Sequence, residues 1–231
     1  MIPVVDVVIP ALDEERSIGR VLADIPQTVV RQVIVADNGS NDGTARVAAS
    51  LGAMVVTEPR RGYGSACLAG IRRSASLDPP PEIVVFLDAD YSDHPDQIGR
   101  VLEPIIAGRA DLVIGSRVLG TREPGALLPQ ARFGNLVAAA LIRLLYRVRI
   151  TDLGPFRAIR ADALEALDMA DRDYGWTVEM QVKAARAGLR VEEVPVSYRR
   201  RIGQSKITGT LAGSVAAGWK ILATIFHYAR S

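Results

Sequence analysis

Two aspartates one residue apart, Asp88 and Asp90, follow the apolar run Ile83-Val84-Val85-Phe86-Leu87. Such a run predicts a strand buried on both faces. Alternate strand positions face the same way, so the two carboxylates can converge just beyond the strand end. Carboxylates that close repel unless a proton or a cation sits between them. A hard divalent ion, Mg²⁺ or Mn²⁺, suits the pair, because these ions take one or two carboxylates together with phosphate oxygens and water. The plainer alternative is that Asp88 and Asp90 cap the next helix or shape a polar turn. Asp-x-Asp by itself does not separate the two.

Other polar clusters close further apolar runs. Pro10-Ala11-Leu12-Asp13-Glu14 ends the first, and Asp37-Asn38-Gly39-Ser40 ends the second. Asp37 can accept a hydrogen from a nucleobase edge, or can serve as a turn former. Asp152, opening a loop, and Glu179, in a helix beside Val178, Met180 and Val182, are the carboxylates in reserve for a general base. Near the C-terminus lies the basic loop Arg199-Arg200-Arg201-Ile202-Gly203-Gln204-Ser205-Lys206. His94 and His227 have no metal-ligand partner at standard spacing. Trp176 and Trp219 are expected to pack.

The elements that must position these groups are legible in the first half. Residues 4–9, 33–36, 53–57, 83–87 and 112–114 read as short Val/Ile-rich strands bounded by turn residues. Residues 14–25, 44–51, 65–76 and 96–107 read as helices, ended by Pro26, Gly52, Pro79 to Pro81 and Gly108. Apolar strands alternating with helices predict an α/β fold with a doubly wound, mostly parallel sheet. Ligands bind such a sheet beyond the carboxyl ends of its strands, where the acidic clusters fall.

The second half is less regular. A polar loop, 115–129, precedes an amphipathic helix, 133–146, with Phe133, Val137, Ala140, Leu141 and Leu144 on one face. A helix at 176–187, a strand at 190–198 and a last helix bearing Leu211, Val215, Trp219, Leu222 and Phe226 along one side complete the reading. Residues 1–206 form the expected catalytic domain, and 207–231 an amphipathic helix able to lie at a membrane interface.

Composition narrows the partners. A chain of 231 residues, 48% hydrophobic, can bury a large single core. A net charge of +2 excludes nucleic acid as the expected partner. Neither a signal peptide nor a spanning helix is read, and the single cysteine, Cys67, suits a reducing compartment. The expectation is a cytoplasmic protein, or one peripheral on the inner face of the membrane.

Read in order, the motifs resemble glycosyltransferase family 2, and within it the dolichyl- and polyprenyl-phosphate mannose or glucose synthases. The resemblance is carried by Val7 through Glu15, by Val35 through Thr44, and by Gly62-Tyr63-Gly64. Asp88-Ala89-Asp90, Gly115-Ser116-Arg117 and Asp152-Leu153-Gly154-Pro155-Phe156-Arg157 follow, then Glu192 through Tyr198 and Arg201 with Gly203, Ser205 and Lys206. The family commonly has Asn where this chain has Asp13. In the synthase branch a Gln often stands where this chain has Ser92, leaving Asp93 or water as the third metal ligand.

The resemblance implies a GT-A fold and metal-dependent, inverting transfer of a hexose from a UDP- or GDP-linked donor. Pro10, Leu12 and Glu14 would line the nucleoside pocket, Asp37 would meet the base, and Asp88 the ribose or its neighbourhood. Asp90 would be the principal metal ligand, with Asp88 beside it. Arg117 would add a positive contact to the leaving diphosphate, because its planar fork donates in pairs. A polyprenyl-phosphate acceptor already carries an oxyanion near neutral pH, since its second ionisation lies at about pH 6. Arg132, Arg201, Ser205 and Lys206 would bind that phosphate. The alternatives are a soluble hydroxyl acceptor, which would require a base such as Glu179 or Asp152, and a non-catalytic nucleotide-sugar-binding subunit. A membrane surface or a membrane-bound partner would accommodate the lipid.

Overall fold

The computed structural model describes residues 3–203 and 211–230. Seven strands form one sheet: β1 (Val5–Ala11), β2 (Gln32–Asp37), β3 (Met54–Thr57), β4 (Ile83–Phe86), β5 (Leu112–Ser116), β6 (Arg157–Arg160) and β7 (Val191–Pro195). Their spatial order is β3-β2-β1-β4-β6-β5-β7. Strands β1, β2, β3 and β4 run parallel, as do β5 and β7, while β6 is antiparallel to both its neighbours.

The helices are α1 (Ile18–Asp24), α2 (Thr44–Ser50), α3 (Tyr63–Ala75), α4 (Ile98–Ile106), α5 (Pro129–Tyr146), α6 (Ala161–Ala166), α7 (Trp176–Arg186) and α8 (Leu211–Arg230). Strand alternation sorts the core into two layers. Val7, Ile9 and Val85 face Ile18, Leu22, Val101 and Leu102 of α1 and α4. Val8, Val84 and Phe86 face Cys67 of α3, Ile142 of α5 and Trp176, Val178 and Met180 of α7. Among the described residues no helix is long and apolar enough to cross a membrane.

Two features depart from the sequence expectation, and a third settles a direction that the sequence leaves open. The strand β6, with helix α6 behind it, was not read at all: Arg157-Ala158-Ile159-Arg160 carries a cation at each end, and no periodicity marks it. The first helix begins at Ile18 rather than at residue 14, since Glu14 stays in a turn. The apolar stripe on α5 faces outward. Ala138, Ala139 and Ile142 are the buried positions of that helix, whereas Phe133 is 69% exposed and Leu144 75%. Helix α8 repeats the pattern, burying Ile225 and leaving Trp219 74% exposed.

Candidate active site

The carboxyl ends of β1, β2 and β4 and the start of α3 surround a cavity of about 560 Å³. Pro10, Leu12, Glu14, Asp88, Asp90 and Arg201 all line it, residues separated by nearly two hundred positions of sequence. The turn after β1 is shaped by Asp13, which holds a left-handed φ of 51°, a conformation that Asp and Asn tolerate better than other side chains. Asp13 Oδ1 accepts from Asn41 N at 2.7 Å, and Ser40 Oγ accepts from Asp13 N at 2.9 Å. These bonds latch the first loop to the second.

Asp88 and Asp90 emerge just past β4. Tyr63 donates to Asp88 Oδ1 at 3.0 Å. Asp90 Oδ1 accepts from the Ser92 backbone N–H at 2.8 Å and from its hydroxyl, and Asp90 Oδ2 pairs with Arg201 Nη1 at 3.2 Å. Burial, and after it the neighbouring Asp90 charge, push the Asp88 carboxyl up to about 7. Tyr91, next in the chain, is held at φ 65°. Its hydroxyl donates to Asp24 at 2.7 Å, and the Arg199 guanidinium lies 3.4 Å from its ring centroid. A non-glycine residue pinned in this region marks a turn whose shape is over-determined by its surroundings.

Asp88 and Asp90 fit a divalent ion by their chemistry: two hard oxygen donors on one cavity wall, mutually repelling, with an arginine drawn onto one of them. Among the described residues no third His, Cys, Asp or Glu gathers with them. Asp93 lies behind, 2% exposed, with Oδ1 unpaired and Oδ2 3.5 Å from Asp88 N. The donor set therefore matches an ion completed by phosphate oxygens and water.

The remaining expected residues stand elsewhere. Asp37 ends β2, 6% exposed, with Ser40 N approaching its carboxylate at 3.3–3.4 Å, and it is Asn38 that faces the cavity. Asn38 donates to Glu58 O and Arg60 O, at 3.0 and 2.8 Å, and accepts from Gly62 N at 2.8 Å. It thereby sets the loop that carries Arg61 and Tyr63 into the site. Arg117 and Asp152 face one another instead of the cavity. Nε and Nη2 of Arg117 meet the carboxylate at 2.8 and 2.7 Å, and the Arg117 backbone N–H adds a third bond at 2.7 Å. Burial would raise the Asp152 carboxyl, but the Arg117 charge and hydrogen bonds outweigh it and hold it below the usual range.

Glu179 is fully enclosed and saturated. It accepts from Ala170 N at 3.0 Å, Asp171 N at 2.7 Å and Tyr228 Oη at 2.7 Å, and it pairs with Lys183 at 2.9 Å. It thus ties the segment before α7 to α8, away from the cavity. Arg132 lies exposed on α5 beside a second cavity of about 370 Å³, lined also by Arg122, Phe133 and Leu136. Ser205 and Lys206 lie outside the described residues.

Asp173 and Tyr174 line the first cavity and carried no signal in the sequence. Arg61 was equally silent. Tyr63 sat between two glycines that hint at a close approach, and both are needed. A Cβ on Gly62 would fall 2.1 Å from the Arg172 carbonyl oxygen, and one on Gly64 2.1 Å from that of Asp171.

The profile described as Glycosyl transferase family 2 matches residues 6–168. An uncharacterised glycosyltransferase of Mycobacterium tuberculosis is 41% identical over 224 residues, covering 94% of this chain and 97% of that protein. The undecaprenyl-phosphate mannosyltransferase of Micrococcus luteus is 34% identical, covering 89% of this chain and 88% of its own length. Among solved structures, glucosyl-3-phosphoglycerate synthase from Mycobacterium tuberculosis, in complex with Mn²⁺, UDP and glucosyl-3-phosphoglycerate, superposes with a TM-score of 0.77 at 26% identity. That match covers 99% of this chain and 80% of the other.

Proposed function

The chain belongs to glycosyl transferase family 2, and from that premise we propose that it transfers a hexose, with inversion, from a nucleoside-diphosphate sugar to a prenyl-phosphate acceptor. The reading is carried by the carboxylate pair Asp88 and Asp90 in the wall of the cavity, with Arg201 bridging Asp90 and Glu14 at 3.2 and 3.1 Å. A divalent ion held by Asp88 and Asp90, when bound, neutralises the leaving diphosphate as a Lewis acid. Pro10 and Leu12, which line the cavity, take the nucleoside. Arg201 already serves as the counter-charge of two carboxylates. With a cation on Asp90, Arg201 would keep Glu14 as partner and would have the rest of its guanidinium for phosphate oxygens, the partner its planar fork fits best.

Two observations favour a phosphate acceptor. Asp152 and Glu179, the carboxylates expected to deprotonate a hydroxyl, are committed to Arg117 and to the Ala170-Asp171 backbone. A phosphomonoester needs neither, since it is its own oxyanion. The relative from Micrococcus luteus is named for an undecaprenyl-phosphate acceptor. Arg132, with Ser205 and Lys206, completes the acceptor set in this proposal. The alternative, a soluble acceptor, draws on the likeness to glucosyl-3-phosphoglycerate synthase. Offering undecaprenyl phosphate and 3-phosphoglycerate side by side, with labelled donor and Mn²⁺ or Mg²⁺, decides between them. Label is expected in the organic phase, and label found only in the aqueous product would sink the lipid reading.

The outward stripe of α5 supplies a resting place for such an acceptor. Phe133, Leu136 and Leu144 are exposed, with Arg143, Arg147 and Arg149 also exposed toward the end of the same segment. That pairing of apolar and cationic groups suits an anionic bilayer surface. Leu136→Asp with Leu144→Asp is expected to lower co-sedimentation with anionic vesicles by about tenfold or more, the effect of withdrawing two leucines from an apolar phase. Nucleotide affinity should stay unchanged.

A further inference from the structure

We propose that Asp173 and Tyr174 form the recognition pair for the donor's sugar, the carboxylate accepting from hexose hydroxyls and the ring covering the sugar's C–H face. Four carboxylates line the cavity: Glu14, Asp88, Asp90 and Asp173. Three of them are engaged. Glu14 accepts from Ser17 and Arg201, Asp88 from Tyr63, and Asp90 from Ser92 and Arg201. The Asp173 carboxylate accepts no hydrogen bond from any described residue, and it does not gather with Asp88 and Asp90 into a three-carboxylate group.

The backbone that presents Asp173 is nonetheless fixed. Asp173 N donates to Asp171 Oδ1 at 2.7 Å. The preceding carbonyl, Arg172 O, accepts from Ser65 N at 2.9 Å and from Ser65 Oγ at 3.2 Å. Glu179 clamps the two peptide N–H groups before it, and Lys220 pairs with Asp171 at 3.0 Å. Three residues further on, Trp176 anchors the start of α7 at 1% exposure. An available acceptor on a rigid support is the arrangement that makes binding selective, because little ordering remains to be done when the ligand arrives.

The identity of the ligand follows by matching groups, and it rests on the glycosyl-transfer reading above. In that reading Asp88 and Asp90 serve the diphosphate through the metal, while Pro10 and Leu12 serve the nucleoside. The sugar remains, and it offers hydroxyl donors along its rim and apolar C–H bonds on its faces. A carboxylate has no donor of its own and can accept from two hydroxyls together. A half-buried tyrosine ring beside it supplies the apolar surface. Epimers differ in where one hydroxyl points, so the pair discriminates between them.

Calorimetric titration in the presence of Mn²⁺ tests this with UDP and GDP against UDP-glucose, UDP-galactose, GDP-glucose and GDP-mannose. Wild type, Asp173→Asn and Tyr174→Ala are compared, with melting temperatures confirming that each is folded. Asp173→Asn is expected to keep nucleoside-diphosphate affinity within about twofold and to lower affinity for the preferred nucleotide sugar by about tenfold, the usual effect of losing a charged acceptor. The preference between epimers narrows, and Tyr174→Ala behaves alike. Equal losses for nucleoside diphosphate and nucleotide sugar would overturn the inference, placing Asp173 at the diphosphate. Unchanged sugar affinity with a collapsed kcat would also overturn it, making Asp173 a proton acceptor. A wild-type protein binding none of these nucleotides would overturn the glycosyl-transfer reading itself.

Discussion

Asp90→Asn is expected to lower metal-dependent transfer by about a thousandfold or more while leaving the protein folded. The amide keeps an oxygen where Asp90 Oδ1 accepts from Ser92, so the turn retains its two local hydrogen bonds. What disappears is the negative charge beside Asp88 at the mouth of β4. Removing a preorganised electrostatic contact to charge that develops in a transition state costs about 10²–10³ in rate, and metal-borne charge stabilisation amounts to several kcal/mol. The structural cost is small by comparison, because Arg201 keeps Glu14 as partner at 3.1 Å.

Two measurements check the prediction: the initial rate at saturating donor across a Mn²⁺ titration, and the rise in melting temperature on adding nucleoside diphosphate with Mn²⁺. Wild type gains stability from ligand by mass action, and the variant should gain little from metal plus nucleotide together. A variant turning over at a rate near wild type would remove Asp90 from the chemistry.

Asp152→Asn should produce the largest loss of stability, about 3–5 kcal/mol. Asp152 is fully enclosed and Arg117 nearly so, with side-chain exposures of 0% and 12%. Deleting the carboxylate charge strands a buried guanidinium that keeps the Tyr198 ring as a neighbour and loses its directly hydrogen-bonded counter-charge. For a chain of this size that loss lowers the melting temperature by roughly 6–20 °C. The double variant Arg117→Met, Asp152→Leu should recover much of it, since replacing a whole buried ion pair by apolar side chains is far less costly than breaking one.

The pH dependence has a definite sign. The Asp152 carboxyl is held below its ordinary value in the folded protein, so the stabilisation is complete above the usual carboxylate range. It is lost as pH falls through that range toward the depressed folded value. In Asp152→Asn this part of the acid sensitivity should vanish, as urea unfolding at stepped pH values would reveal. A rate loss in Asp152→Asn far exceeding the loss of folded protein would instead point to a catalytic proton transfer.

Much of this was already present in the linear chain, for identifiable reasons. Strands β1, β2 and β4 are continuous Val/Ile runs because both their faces are covered, and burial on two sides writes itself directly into composition; β3, at the sheet edge, is only half-buried. The strand-end rule then pointed to this edge of the sheet, and Pro10, Leu12, Glu14, Asp88, Asp90 and Arg201 do line one cavity there. Local order along the chain is enough to bring two aspartates to the wall of one cavity.

Long-range pairing was not readable in that way. The strand β6 enters the middle of the sheet antiparallel, carrying Arg157 into the core at 0% exposure. That arginine donates to the carbonyls of Thr177, Leu153 and Gly154, partners supplied by another helix and a loop. Nothing in the four residues themselves announces such a rescue. The same holds for Arg117, Asp152 and Glu179: their residue types suit catalysis, but their partners come from distant segments and consume their lone pairs and protons. The direction of the α5 stripe was likewise settled by packing, since Ala138 and Ile142 turn inward where the second core layer receives them. Residue type and spacing determined which groups this protein has available for chemistry. Which of those groups stay free to meet a substrate was decided by the fold, because only tertiary contacts can take a charged side chain out of reach.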